Sequence, residues 1–592
     1  MVLQGCWGPV TLAQGFVRKR QIVAAWPCSS AGRFFSSKVS GWKVDPASGI
    51  ISQGKDQKFQ TIIGLEIHAQ LDIPTKLFSR APTSSWMAPP NSAIDLIDVG
   101  VPGSLPVLSK QALHSALLAA GALECDVPTI SRFERKHYAY ADLPLGYQIT
   151  QQRWPLARNG RLLATYKVDG SKSKQRTALV DCRIDRIQLE QDTGKTTSTL
   201  EPDGSVISRV DLNRAGSALI EIVSAPDLRS PRQAVAFMET LRQLLQHLGV
   251  CDGKMEHGSL RCDLNVNVQS LNSPQHKSPR VEVKNLNSIK HVHDAAVYEA
   301  IRQASTFATL ADSGSSILVG GAETRTWNVV ERATTLLRRK DDAQDYRFMP
   351  DPDLPPIVID NSSLNGMSLE QFWNKNLPEL PAVAFHRLQN DYGLSSYQAS
   401  VIVADPPAIE FLDVAIRTAM VHAMETSTSP VASKAVASTA ANILSNELFG
   451  ILKESGGDEP LSIKHSLVSA EQLGELVAML HAEKISTTMA KKMMAALCTE
   501  TSSFGKSPQE LASECGFELI TSVDALKVIC ECVVKAYPEE LTVYHKGNKF
   551  EAKIFKLFIG KAMSASKGNA HPERLREILK DVLDATKGRA GP

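Results

Sequence analysis

The sequence predicts an α+β protein, in which a one-sided antiparallel sheet domain precedes a wholly helical C-terminal region. Three observations carry this. Between about residues 58 and 355, apolar and polar residues alternate with period two between clusters of Gly, Pro, Asn and Asp, the pattern of strands buried on one face. From about 366 onward the apolar residues recur at helical spacing instead. Pro350, Pro352, Pro355 and Pro356 mark the border, where no helix can continue. Strands first and helices later place the two structures in successive domains.

At 592 residues, the chain is long enough for about three to five domains. With 43% hydrophobic and 22% charged residues, it is neither mainly disordered nor fibrous. No apolar run approaches the ~20 residues of a membrane-spanning segment. Residues 1–44 hold six Lys/Arg, several Ser and no acidic residue. That is the composition of a mitochondrial transit peptide, so residues 1–45 are expected to be a leader addressed to the matrix. Removing those six from the 65 basic residues leaves 59 against 63 acidic ones. The ten cysteines include no CxxC pair, which argues against a zinc ribbon or a disulfide scaffold.

The strands are legible one by one. In Thr61–Leu71, Ile63, Leu65, Ile67 and Ala69 point one way and Glu66 and His68 the other. Arg186–Asp192 sets Ile187 and Leu189 against Arg186, Gln188, Glu190 and Asp192. Gly194-Lys195-Thr196 lacks the earlier glycine of a phosphate-binding loop and reads as a turn. In Ala218–Val223, Glu221 opposes Ile220 and Ile222. A helix follows: Ser230 caps it, Pro231 opens it, and Phe237, Met238, Leu241, Leu244, Leu245 and Leu248 form its apolar stripe before Gly249. Leu260–Val268 turns Arg261, Asp263, Asn265 and Asn267 outward, and Val281 and Val283 oppose Glu282 and Lys284. The Ser/Gly-rich stretch 312–321 reads as a loop.

The polar face carries the chemistry. A merely solvated face favours Lys, Thr and Ser, whereas this one gathers Glu66, His68, Glu190, Glu221, Asp263 and Glu282. Like charges on one sheet repel unless a cation sits among them. Hard divalent cations such as Mg²⁺ take carboxylate oxygens, often with substrate phosphates, and Arg261 and Lys284 are placed to hold those phosphates. A metal–nucleotide site is expected there. Residues 545–592 add eleven Lys/Arg against five Asp/Glu, a basic end suited to a nucleic-acid backbone.

The ordered motifs GLEIH (64–68), KLF (76–78), LEQDTGK (189–195), DLNRAG (211–216), MEHGSLRCDLNVNV (255–268), EVKNLNS (282–288) and DYRFMPDPDLPP (345–356) resemble the B subunits of glutamyl-tRNA(Gln) amidotransferases, the GatB/GatE family. With the leader, the resemblance is to its mitochondrial branch. It implies a catalytic cradle domain over 58–360 with a sheet like that of glutamine synthetase and guanido kinases, a helical linker domain over 366–440, and a YqeY-like, tRNA-contacting tail over 441–592. It implies an ATP-dependent carbon–nitrogen ligase with glutamine as amido donor. This chain would phosphorylate the side-chain carboxylate of Glu-tRNA(Gln), and ammonia would displace the phosphate. The ammonia would come from a glutaminase of the amidase type, the A subunit of the assembly. A small third subunit would complete it.

The resemblance further implies Glu66 and His68, with Glu190 and Glu221, as metal ligands. Lys136, in the stretch F-RK-Y-Y-DLP-GYQI (133–149) that also matches the family, would meet phosphate or steer ammonia, and Arg261, Asp263, Asn265 and Lys284 would bind the nucleotide, with Arg261 and Lys284 also serving the chemistry. Two departures stand out. Gln191 occupies a position where the family often has a carboxylate, and no cysteine lies between Lys76 and Gly103, so no zinc is expected. The rival reading is a non-catalytic scaffold that presents tRNA. ATP hydrolysis dependent on Glu-tRNA(Gln) separates the two.

Overall fold

The computed structural model describes residues 41–587 apart from 54–56, 84–86, 169–176, 313–321, 340–344, 427–432, 456–461, 500–504, 546–550 and 567. The expected leader as far as residue 40, and all but the first residue of the expected loop 312–321, therefore lie outside the described residues. The chain forms two compact units, one of residues up to 242 with 251–367, the other of residues 243–250 with 368 onward.

The first unit begins with β1 (Lys43–Val44), β2 (Ile50–Gln53), β3 (Gln57–Gln70), helix α1 (Lys110–Ala122), β4 (Ile130–Ser131), β5 (Glu134–His137) and β6 (Tyr147–Thr150). Next come β7 (Ala157–Lys167), β8 (Thr177–Gln191), β9 (Lys195–Leu200), β10 (Val206–Asp211), β11 (Ala218–Ser224) and α2 (Pro231–His247), of which the residues up to 242 belong to this unit. It ends with β12 (Leu260–Ser270), β13 (Val281–Leu286), α3 (Ile289–Asp312), β14 (Glu323–Asn328), β15 (Ala333–Arg339), β16 (Met349–Pro350) and β17 (Ile357–Val358). The sheet thus starts earlier than the sequence suggests, with β1 and β2 added beside β3. The main sheet runs β15-β14-β13-β12-β3-β11-β8-β7.

Every pairing along it is antiparallel except β13–β14. The sheet is therefore mixed, whereas the alternation predicts a purely antiparallel one. The cause is α3, whose 24 residues connect β13 to β14 and return the chain to the end where β13 began, as a parallel pair requires. The apolar residues of β3 and β12 are buried as the alternation predicts. At one end, Phe59 and Val268 pack with Ala300, Ile301, Ala304, Phe307 and Ala308 of α3. Three alanines let the helix backbone approach the sheet closely. Glu299 on the same helix is fully buried, yet Arg302 and Arg325 pair with it and Thr334 donates to it, tying α3 to β14 and β15. The predicted cap of α2 is present: the Gln233 amide donates to Ser230 Oγ at 3.2 Å.

The polar face also departs from the expectation. The alternation predicts an open face, but over β8 and β11 it is roofed by a small sheet of β16, β5 and β6. Gln148 and Thr150 of β6 donate to the two oxygens of Glu190, at 2.5 and 3.0 Å. Glu190 and Glu221 are consequently only 4% and 5% exposed.

Beside this site a fully buried lysine, Lys76, donates to Asp98 at 2.8 Å and to the Leu212 carbonyl at 3.4 Å. Burial pushes the lysine pKa down and the aspartate pKa up, so attraction does not fully repay the desolvation of the pair. Asp98→Ala would strand a buried ammonium. The expected cost is roughly 3–5 kcal/mol, read from the urea midpoint. A loss below ~1 kcal/mol would show that water already reaches Lys76.

Between Leu369 and Lys587, the elements among the described residues of the second unit are all helices. Ser368, Ser395, Ser469 and Ser507 each start a helix with a reciprocal cap, pairing with Gln371, Gln398, Gln472 and Glu510 three residues on. Two apolar clusters fill it, one drawn from residues 384–519 and one from 526–583. Among the described residues, no helix is long and apolar enough to cross a membrane.

Candidate active site

Strand register assembles the site. Residues directly opposite in an antiparallel pair share a face. On β3, His68 sits opposite Glu221 of β11 and Arg261 of β12, and Glu66 sits opposite Asp263. Glu221 in turn is opposite Gln188 of β8. Strands β3, β11 and β12 thus bring Glu66, Glu221 and Asp263 around one imidazole, and β8 brings a fourth carboxylate, Glu190. Ligand atoms of His68, Glu190 and Glu221 all lie within 4.8 Å of one another, as do those of Glu66, His68 and Asp263.

The electrostatics show how crowded this is. Burial works against the ionised form of Glu66, but the hydrogen bond and charge of His68, with Lys284 and Lys136 beyond, overcome it and hold the carboxyl at about 2. Burial also opposes the His68 imidazolium. The Glu66 hydrogen bond and the charges of Glu221, Glu190 and Glu66 outweigh that and raise the ring to about 9. Glu221 is pushed up to about 8 by burial and by Glu190 and Glu66 beside it, with His68 and Arg186 only partly offsetting them. Gln188 donates to Glu221 at 2.8 Å.

The cations flank the cluster. Lys284 donates to Asp263 and lies 2.9 Å from Glu282. Its pKa is raised: burial, the largest single influence, opposes the charge, but the two carboxylates together outweigh it. Arg261 pairs with Asp192 at 2.8 Å, and its buried Nε has no hydrogen-bond partner. Lys136, on β5 of the roof, stands 5.0 Å from the Tyr346 ring centre and 5.8 Å from that of Tyr138, and its charge is felt by Glu66. Asn265 continues the polar row on β12, between Gly64 and Glu282.

The structure therefore brings Glu66, His68, Glu190, Glu221, Asp263, Lys284, Arg261 and Lys136 to one surface. Asp263, which the resemblance makes a nucleotide contact, converges with Glu66 and His68 as a metal-ligand candidate. Gln191 falls on the opposite face of β8 from Glu190 by strand alternation, so its amide leaves the cluster's charge unchanged. The residues that the sequence does not mark as part of the site are Gln148, Thr150, Gln188 and Asp192. Gln188 and Asp192 share the polar register of β8, while Gln148 and Thr150 alternate in the same way on β6, a strand too short to attract notice.

The donor set, one imidazole among carboxylates whose repulsion is only partly relieved, fits a hard divalent cation. The unpartnered Arg261 Nε and the flanking lysine fit phosphate oxygens.

Comparison with known proteins gives the family. A family described as the GatB/GatE catalytic domain matches residues 61–365, and one described as a GatB domain matches residues 428–583. The chain is 36% identical over 533 residues to the B subunit of an aspartyl/glutamyl-tRNA(Asn/Gln) amidotransferase of Rickettsia felis, covering 90% of this chain and 99% of the relative. It is 37% identical over 531 residues to the protein of the same name in Granulibacter bethesdensis, covering 90% and 99%. The B subunit of a mitochondrial glutamyl-tRNA(Gln) amidotransferase of Phytophthora infestans is 36% identical over 587 residues, covering 89% and 96%.

Proposed function

The chain belongs to the GatB/GatE family, and from that premise we propose that it is the tRNA-dependent amidotransferase subunit that activates the side-chain carboxylate of Glu-tRNA(Gln) with ATP. The likeness to the glutamine synthetase and guanido kinase sheet is part of the same proposal. An oxygen of the glutamyl carboxylate attacks the γ-phosphorus of ATP, and ADP leaves. Ammonia then attacks the acyl carbon of the γ-glutamyl phosphate, inorganic phosphate leaves, and Gln-tRNA(Gln) results. The ammonia would come from an amidase-type subunit that hydrolyses glutamine, with a small third subunit in the assembly. The single observation that carries this reading is the cluster of the buried Glu190 and Glu221 with the half-buried Glu66, His68 and Asp263, flanked by Arg261 and Lys284.

Of these residues, His68, Glu190 and Glu221, with Glu66 and Asp263, would hold Mg²⁺. Bound there, the ion offsets negative charge on the phosphates and the attacking carboxylate. Arg261 and Lys284 bind phosphate oxygens by exchanging part of their pairing with Asp192 and Asp263. Gln148 and Thr150 fix the orientation of Glu190, and the roof of β5, β6 and β16 keeps water from the cluster. Lys136 enters from that roof as a third cation. With ammonium salt as nitrogen source, ADP formation should require Glu-tRNA(Gln). ADP formed equally with uncharged tRNA, or none formed, would favour the tRNA-presenting scaffold.

Contact between the tail and tRNA is better tested with charge than by deletion. Removing residues 545–592 would strip Phe558, Leu575, Leu579 and Leu583 from an apolar cluster. Lys553, Lys556 and Lys561, by contrast, stand exposed on helix Glu551–Ala565. Replacing all three by Ser should weaken tRNA binding roughly ten-fold and lower its salt slope by about 1 per lost phosphate contact. An unchanged slope would remove this helix from the tRNA interface.

The acid-free leader and the mitochondrial relative support a matrix protein. N-terminal sequencing of the organelle protein should show that the basic leader has been removed. A retained Met1 would contradict import with cleavage.

A further inference from the structure

Glu190 is held by neutral donors. Gln148 and Thr150 give a hydrogen bond to one oxygen each, while His68 Nδ1 lies farther off, at 4.0 Å. A carboxamide has nearly the same shape either way round. A buried glutamine therefore holds a carboxylate only if something fixes which end faces it. With its oxygen turned to Glu190, Gln148 would set two acceptors against each other and leave both unsatisfied.

Tyr138 supplies that constraint. Its hydroxyl donates to Gln148 Oε1 at 2.9 Å, which leaves Gln148 Nε2 to donate to Glu190 and, at 2.8 Å, to the Gln191 carbonyl. Each contact of the amide pairs a donor with an acceptor, and reversing the amide would spoil all three. Tyr138 follows β5, two residues after Lys136, and Lys136 sits opposite Gln148 in register. The phenol ring is itself fixed. Tyr140 and Tyr346 meet it edge-on, with ring centres 5.5 and 6.0 Å away. Burial, with the charges of Glu190 and Asp192, pushes the phenol pKa up, so the hydroxyl keeps the proton it donates.

The same order continues to the second buried carboxylate. Thr150 Oγ1 accepts from Gln188 Nε2 at 3.1 Å, and that nitrogen also donates to Glu221 at 2.8 Å. The Gln188 oxygen in turn accepts from Arg186 Nε at 3.1 Å. Each glutamine thus has a fixed donor at its oxygen and a carboxylate at its nitrogen. At Gln188 that donor is a cation which also acts on Glu221 directly. At Gln148 it is neutral, so its orienting effect can be tested without changing the charge of the site.

We propose that Tyr138 is a positioning residue for the reaction: through Gln148, it sets the orientation in which Glu190 meets the divalent cation. The presence of that cation rests on the function proposed above. Groups that orient a metal ligand in this way contribute about 10–100-fold to metal affinity.

Tyr138→Phe in the full-length chain keeps the ring and removes only the hydroxyl. In calorimetry with magnesium chloride alone, Mg²⁺ affinity should fall about ten-fold. Tyr140→Phe, altered at an exposed neighbour, should bind as the wild type does. Gln148→Ala should also weaken binding, and adding Tyr138→Phe to it should cost nothing more. With ammonium salt as nitrogen source, the Mg²⁺ concentration giving half the maximal rate should rise in Tyr138→Phe, with KM for Glu-tRNA(Gln) unchanged. Wild-type Mg²⁺ affinity in Tyr138→Phe would overturn the proposal. An equal loss with and without Gln148 would also overturn it, because Tyr138 would then act by another route, such as Lys136, whose ammonium lies 5.8 Å from its ring centre. So would a Tyr138→Phe chain that no longer melts cooperatively, since the hydroxyl would then serve the fold. If the wild-type chain binds no Mg²⁺, the metal assignment fails, and the side-chain amide of Gln148 still decides the positioning. Its ¹⁵N signal, recognised by its loss in Gln148→Ala, should exchange with solvent about ten-fold faster in Tyr138→Phe. Unchanged exchange would overturn the role of the hydroxyl.

Discussion

Replacing His68 with Ala is expected to lower ATP-dependent transamidation by about 10³-fold or more, equivalent to roughly 4 kcal/mol of lost transition-state stabilisation. His68 is the one residue common to both groups of converging ligand atoms, so its loss opens both at once. Glu221→Gln should follow closely, because it removes a carboxylate charge that faces His68 and that Gln188 and Arg186 engage. Neither side chain belongs to the apolar core, and both variants should still fold in the presence of Mg²⁺. Steady-state rates at saturating ATP, with a melting curve for each variant, check this. Full activity in His68→Ala would contradict the metal assignment. A collapsed melting transition that Mg²⁺ does not restore would instead make His68 a structural residue.

Without a divalent cation, the protein should lose stability as pH rises from about 5 to 9. The sign follows from proton counting. Glu221 is raised from its ordinary value to about 8, and His68 is raised to about 9, so in this window the folded chain holds protons that the unfolded chain has released. Stability then falls with rising pH. The groups facing these two are Glu66, Glu190, Asp263, Arg186, Lys136 and Lys284. Glu66 works in the opposite sense but in another window: held at about 2, it adds stability that disappears only as pH falls below about 4. Because Glu221 and His68 sense one another, their contributions do not add, and the combined loss should be a few kcal/mol. Mg²⁺ should reverse it, binding more tightly as pH rises and releasing protons as it binds. Urea titrations at about pH 6 and about pH 9, with EDTA and with Mg²⁺, read both effects. A metal-free protein equally stable at both pH values would show that the carboxylates do not crowd His68 as described.

Much of this site is legible in the sequence because strand alternation is a local signal. Glu66 and His68 two residues apart on a strand must share a face, and the same holds for Gln188 and Glu190, or Asp263 and Asn265. Which strands become neighbours is not local. The placement of β3 between β11 and β12 puts Glu221 and Arg261 on either side of His68. It depends on pairings between strands far apart in the chain, where the alternation is silent about register. The roof is illegible for the same reason. Four-residue strands β5 and β6 carry too little periodicity to announce a second layer, so nothing in the alternation marks Gln148 and Thr150 or closes the carboxylate face. The parallel β13–β14 pair is legible only through the long helical pattern that separates Leu286 from Glu323.

Whether this chain makes an acyl phosphate of the glutamyl side chain is tested most directly with Glu-tRNA(Gln) labelled with ¹⁸O in the γ-carboxylate, in a reaction with ATP, Mg²⁺ and ammonium salt. Each inorganic phosphate released should carry one ¹⁸O, because the carboxylate oxygen that attacked phosphorus leaves with it when ammonia takes its place. Unlabelled phosphate, formed at the rate of Gln-tRNA(Gln) production, would mean that water rather than the glutamyl carboxylate receives the phosphoryl group, and would contradict carboxylate activation at this site.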